Sequence, residues 1–82
     1  MQLDIITPEK TAFKGEVTLV TVPGTKGPFT ILKDHAPIIS SLAPGTITYR
    51  VGEEEFSIES AGGFIEVNNN VISIAIELPN NE

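Results

Sequence analysis

The chain has 82 residues, with five lysines and arginines against eleven aspartates and glutamates, one histidine and no cysteine. It therefore reads as one domain without disulfides, thiolate nucleophiles, cysteine-based zinc sites or the usual multi-histidine metal centres. A net charge of −6 argues against a nucleic-acid-binding surface or an electrostatic membrane anchor, and apolar runs of two or three residues are too short for a membrane span or signal-peptide core.

Apolar and polar residues alternate from end to end, and no stretch of helical length carries a stripe at spacings of three and four, so the chain reads as all β. Gln2–Ile6 opens the series with Leu3 and Ile5 on one face, and Thr7-Pro8-Glu9-Lys10 turns out of it. A short strand around Phe13 is predicted over 11–14 and a longer one over 16–22, where Val17 and Leu19 oppose Val20 and Val22. A strand over 28–32 follows the Gly24 to Gly27 turn, and Ile38–Leu42 is a short apolar segment before the Pro44-Gly45 break.

Residues 46–51 place Ile47, Tyr49 and Val51 inward against Thr46, Thr48 and Arg50. Gly52-Glu53 reverses the chain, and 54–59 returns with Phe56 and Ile58 on the buried face. After Gly62-Gly63, a strand over 64–67 meets the Asn68-Asn69-Asn70 turn and a last strand over 71–77, with Ile72, Ile74 and Ile76 on one face. About eight to ten short strands at this spacing fit an antiparallel β-sandwich or barrel rather than a βαβ architecture. Residues 1–82 form one domain, with 78–82 a polar tail.

The segment VPGTKGPFTILKDHAP at 22–37 stands out, because it holds the one histidine, His35, and three of the six prolines. Its glycines permit positive φ and its prolines fix φ, so it is a shaped surface. Asp34-His35 is the only pairing that resembles part of a catalytic constellation. Neighbours on an extended strand point to opposite faces, however, and no activated serine or cysteine accompanies them. A loop histidine that bonds locally or meets a partner is the simpler reading.

Glu53, Glu54 and Glu55 lack the ligand alternation of a calcium loop and read as a solvated hairpin tip. The glycine turns match no phosphate-binding pattern. Phe13, Phe29, Tyr49, Phe56 and Phe64 are widely spaced and read mostly as core. No cofactor or metal site is expected, and a binding or structural role remains.

The order of motifs adds more. LDIITPEKTAFKGEV at 3–17 is followed by VTVPGTKGPFTILKDHAPI at 20–38, LAPGTI at 42–47 and EEFSIESAGGFIEVNNNVISI at 54–74. Together these closely resemble the N-terminal β-sandwich domain of the epsilon subunit of rotary, F-type ATP synthases, over almost all of residues 2–77. The resemblance implies a non-catalytic central-stalk subunit that packs beside the gamma subunit and rests on the membrane c-ring, coupling proton or sodium flow to ATP synthesis. It implies a peripheral location on the cytoplasmic side of a bacterial inner membrane, contact with the membrane only through the c-ring, and no requirement for a homo-oligomer.

Residue by residue, the resemblance assigns partner docking to Lys26, Gly27, Pro28, Asp34, His35, Ala36 and Pro37, and gamma-facing positions to Thr7 and Ser40. Family members often carry acidic residues where Lys26 and Pro28 stand, and a glycine where Asp34 stands. They usually continue into a helical hairpin that in many inhibits ATP hydrolysis and in some binds ATP. This chain stops at Leu78-Pro79-Asn80-Asn81-Glu82, so the expectation is a naturally short subunit without those two activities. The competing reading is a free carbohydrate- or small-ligand-binding β-sandwich, which calls for exposed aromatics beside polar residues.

Overall fold

A computed structural model describes residues 1–79. Nine strands are found among them: β1 (Gln2–Ile6), β2 (Thr11–Glu16), β3 (Leu19–Gly24), β4 (Gly27–Ile31) and β5 (Ile38–Leu42), then β6 (Gly45–Val51), β7 (Glu54–Ser60), β8 (Gly63–Asn68) and β9 (Val71–Ile76). The all-β expectation holds, and β1 and β5 have the predicted bounds. Part of the expected polar tail, residues 80–82, lies outside the described residues.

The strands join in the order β2-β1-β9-β8-β5-β3-β6-β7, with β4 branching from β3. The two halves meet at a narrow link, where Gly24 on β3 pairs with Leu42 on β5 and the Ala43 amide donates to the Pro23 carbonyl at 2.7 Å. The sheet folds over there. Phe13 on β2 consequently reaches Tyr49 on β6, with ring centroids 4.5 Å apart. Glycine is required at the corner, because a Cβ on Gly24 would lie 2.7 Å from the Gly27 carbonyl oxygen and 2.8 Å from the Phe29 ring.

Period-two alternation makes the core. In one layer Leu3 on β1 lies beside Ile72 on β9, then Val67 on β8 and Ile38 on β5, while Ile5, Ile74, Ile65 and Ser40 form the next row. In the other layer Ile31, Val20, Tyr49 and Phe56 make one row across β4, β3, β6 and β7. Leu3, Ile5, Val20, Ile31 and Ile72 are fully buried, each contributing about 1.5–3 kcal/mol of transfer free energy.

Hairpin chemistry closes the ladders. Asn69 and Asn70, at φ +56° and +62°, make the two-residue β8–β9 turn, and Gly52 at φ +62° opens the β6–β7 turn. One pairing departs from the expected antiparallel pattern: β1 runs parallel to β9. These strands are the two ends of the series and no hairpin joins them, so local turn chemistry says nothing of their relative direction.

Two aromatic placements are corrected. Phe56 lies on the inward row yet is 42% exposed, because β7 ends the sheet path and residues 51–57 of its hairpin are exposed throughout. Val51, expected inward, is exposed for the same reason. Phe64 is 64% exposed, since its neighbour Ile65 takes the inward position opposite Ile74.

Ile74→Ala should cost about 2–5 kcal/mol in urea denaturation, and a loss under about 1 kcal/mol would contradict this core. Desolvation raises the Tyr49 phenol above its ordinary value of 10.0. With one tyrosine and no tryptophan, an ultraviolet titration should show a midpoint above that of the urea-unfolded chain. Because folding disfavours the phenolate, this contribution is complete below pH 10 and is lost as pH rises through the folded-state value.

Candidate docking site

The β3–β4 turn is Thr25-Lys26, closed by Gly27 at φ +126°, and it projects Lys26 into solvent. Thr25 is tied to β5 by its hydroxyl, 2.9 Å from that of Ser41, and by its amide to the Ser41 carbonyl at 3.2 Å. After β4 the chain turns back, with the His35 amide donating to the Leu32 carbonyl at 3.1 Å. Asp34 sits in this turn at φ +66°, a left-handed conformation that favours glycine or a short polar residue.

Asp34 is held there by a reciprocal pair of bonds. Its amide donates to Asn70 Oδ1 at 2.7 Å, and Asn70 Nδ2 donates to Asp34 Oδ1 at 2.9 Å. Asn70 is also left-handed, so the two tight turns brace one another. His35 Nδ1 lies 2.7 Å from the Ala36 carbonyl oxygen. A carbonyl only accepts, so Nδ1 carries a proton and donates to it. Asp34 and His35 thus address different partners and form no dyad.

Lys26, Gly27, Pro28, His35 and Ser40 line one open depression of about 650 Å³, with Phe29, Ile38 and Ile39 as apolar walls. Ser40 stands on the core row beside Ile65, half-buried at the rim. Ala36 and Pro37 are exposed next to it, and Pro37 lines an adjoining shallow cleft with Ile39 and Glu66. Thr7 is elsewhere, in the β1–β2 turn, where its hydroxyl bonds the Lys10 carbonyl at 3.1 Å and accepts from the Lys10 amide at 3.2 Å.

What joins these places is a set of residues that the sequence reading did not assign to docking. Ile6, Ile39 and Phe64 are 48%, 76% and 64% exposed. Register sets Ile6 and Phe64 on either side of Ala75, with Ile39 beside Glu66 one row along. They line a groove of about 380 Å³ flanked by Asp4 and Glu66. Ile39 also belongs to the Lys26 depression, and Ile6 and Phe64 to the cleft holding Thr7, so one strip runs from Thr7 to Lys26.

The signal was present in three doublets, Ile5-Ile6, Ile38-Ile39 and Phe64-Ile65. Alternation buries one member of each and must turn the other outward.

The fold is an all-β domain with a braced turn cluster and an exposed apolar strip, a surface of the kind that meets another protein, a membrane or a ligand. The family model for "ATP synthase, Delta/Epsilon chain, beta-sandwich domain" matches residues 1–78, and the chain belongs to this family. It is 45% identical over 74 residues to the ATP synthase epsilon chain of Leptospira borgpetersenii serovar Hardjo-bovis, covering 90% of this chain and 58% of the relative. It is 41% identical to that of Desulforamulus reducens, covering 89% and 55%.

Among solved structures, a chain of the Euglena gracilis mitochondrial ATP synthase superposes with a TM-score of 0.84 at 26% identity, covering 90% of this chain and 48% of that one. A chain of the Tetrahymena thermophila mitochondrial ATP synthase gives 0.80 at 18%, covering 93% and 62%, a likeness of fold. The chain therefore spans about half to three-fifths of the length of these relatives.

Asp34→Ala should destabilise the domain by about 1–2 kcal/mol, combining a left-handed alanine with a lost side-chain bond. Asp34→Gly should cost less, since glycine relieves the φ constraint. Equal losses in thermal or urea unfolding would contradict the assignment.

Proposed function

We propose that this domain is a non-catalytic rotor component of an F-type ATP synthase. Its apolar strip packs beside the gamma subunit, and its turn cluster, from Lys26 to Pro37, rests on the c-ring. In this way it helps to hold the two rotor parts together while ion flow drives ATP synthesis. The setting is the cytoplasmic face of a bacterial inner membrane, reached through the c-ring, and the role needs no homo-oligomer.

The observation that carries this reading is the continuity of the strip. Ile6, Ile39 and Phe64 would be costly to leave in water as one patch, and the patch links Thr7 to the Lys26 depression. Family membership supplies the assembly, and the Euglena structure that includes the c-ring supports the placement. Phe64 has Ile6, Ile39 and Ala75 as groove neighbours, which favours an apolar protein surface over a sugar.

Purification of ATP synthase through a tagged gamma subunit should recover this chain in equal amount to gamma. Ile39→Glu or Phe64→Glu should weaken its retention by about tenfold or more, as charge is forced into an apolar contact. Absence of the unaltered chain from the purified complex would overturn the proposal.

A further inference from the structure

The charges of the domain are unevenly placed. β6 runs antiparallel to β3 with Leu19 opposite Arg50, so the β6–β7 tip, with Glu53, Glu54 and Glu55, lies at the Leu19 end of β3. Lys26 lies beyond Gly24, at the other end. Asp4 and Glu66 flank the apolar groove. In contrast, Lys26 is the only formally charged residue lining the depression formed by the β3–β4 turn and β5.

Neither ion pair among the described residues uses Lys26: one joins the N-terminus to Glu16 and the other joins Arg50 to Glu55. Between Val17 and Gly52 the sequence contains one carboxylate, Asp34, and its Oδ1 accepts from Asn70. Lys33 adds a second exposed cation to the same loop cluster. A cation therefore stands at a depression walled by Pro28, Phe29 and Ile39, on a domain of net charge −6.

Resting on the docking role proposed above, we infer that the Lys26 end receives an acidic turn of its protein partner. That turn presents a carboxylate to the Lys26 ammonium and an apolar side chain to Pro28, Phe29 and Ile39. Charge complementarity selects this occupant. A cationic loop would meet Lys26 and Lys33, whereas an anionic bilayer, being an extended surface, would also face carboxylates beyond this end, such as Glu66 on the adjoining groove. Opposite polarity at the two ends also orients the domain as it approaches, because a reversed encounter would place Glu53, Glu54 and Glu55 against the partner's carboxylate.

The test uses ATP synthase reconstituted without this chain, to which the unaltered chain, Lys26→Gln, Lys26→Glu and Glu54→Gln are titrated at low and high salt. Lys26→Glu should raise the Kd about tenfold or more at low salt, Lys26→Gln a few-fold, and Glu54→Gln should bind as the unaltered chain does. The gap should narrow with salt, because the screening length falls from about 10 Å at 0.1 M to about 3 Å at 1 M.

Equal or tighter binding by Lys26→Glu overturns the acidic-turn inference and leaves the docking role standing. Failure of the unaltered chain to bind overturns the docking role and this inference together. Binding to phosphatidylglycerol vesicles that is lost in Lys26→Glu would replace the protein carboxylate with a lipid phosphate and overturn the inference. Lys26 is exposed in a turn, so circular dichroism of both variants should match the unaltered chain.

Discussion

The register of β1 on β9, and of β9 on β8, governs both the core and the outer surface. Side chains alternate with a period of two, so placing Leu3 and Ile5 beside Ile72 and Ile74 also decides what faces out. Ile6 and Ala75 then share a row, and Phe64 joins them because Ile65 is opposite Ile74. A slip of one residue would exchange the two faces. It would bring Asp4 and Ser73 toward the core and send Ile5 and Ile74 into water. The core thus enforces the strip, and the surface needs no separate device to position it.

Glycine and asparagine set the limits of that register. Gly63 starts β8 at a point where a Cβ would overlap the Ala75 carbonyl oxygen, so β8 and β9 approach closely only with glycine there. At the other end of the hairpin, Asn69 and Asn70 hold the left-handed turn. Asn70 extends this constraint to the neighbouring loop through its two bonds with Asp34. A braced loop loses less conformational freedom on meeting a partner, which makes His35 and Pro37 parts of a preformed surface.

Much of the fold was legible because alternation and turn residues are local signals. Gln2–Ile6 could be bounded from its own residues, Ile38–Leu42 stood out as an apolar segment, and Gly52-Glu53 and Asn68-Asn69-Asn70 marked the reversals, the last of which leaves Asn68 in β8. The parallel β1–β9 pair was not legible, since it joins segments separated by the rest of the domain. Phe56 shows a different limit. Its strand phase is right, but burial needs an opposing layer, and how far that layer extends is a tertiary property. At the site, turn chemistry marked 22–37 as a shaped surface and the family resemblance assigned docking residues within it, while Phe64 read as core because hydrophobicity alone does not say which of two adjacent apolar residues faces inward.

The Asp34-His35 pair shows how local bonding can decide against a catalytic dyad. A catalytic pair would need the carboxylate on the imidazole and a reacting group within reach of the second nitrogen. Here the turn sends the Asp34 side chain to Asn70, and His35 Nδ1 donates to the Ala36 carbonyl. Both bonds are to neighbouring structure and both fix the path of the loop. His35 itself lines the Lys26 depression. The residues most suggestive of an active site therefore shape the loop, and the same bonds that prevent a dyad give that loop its form.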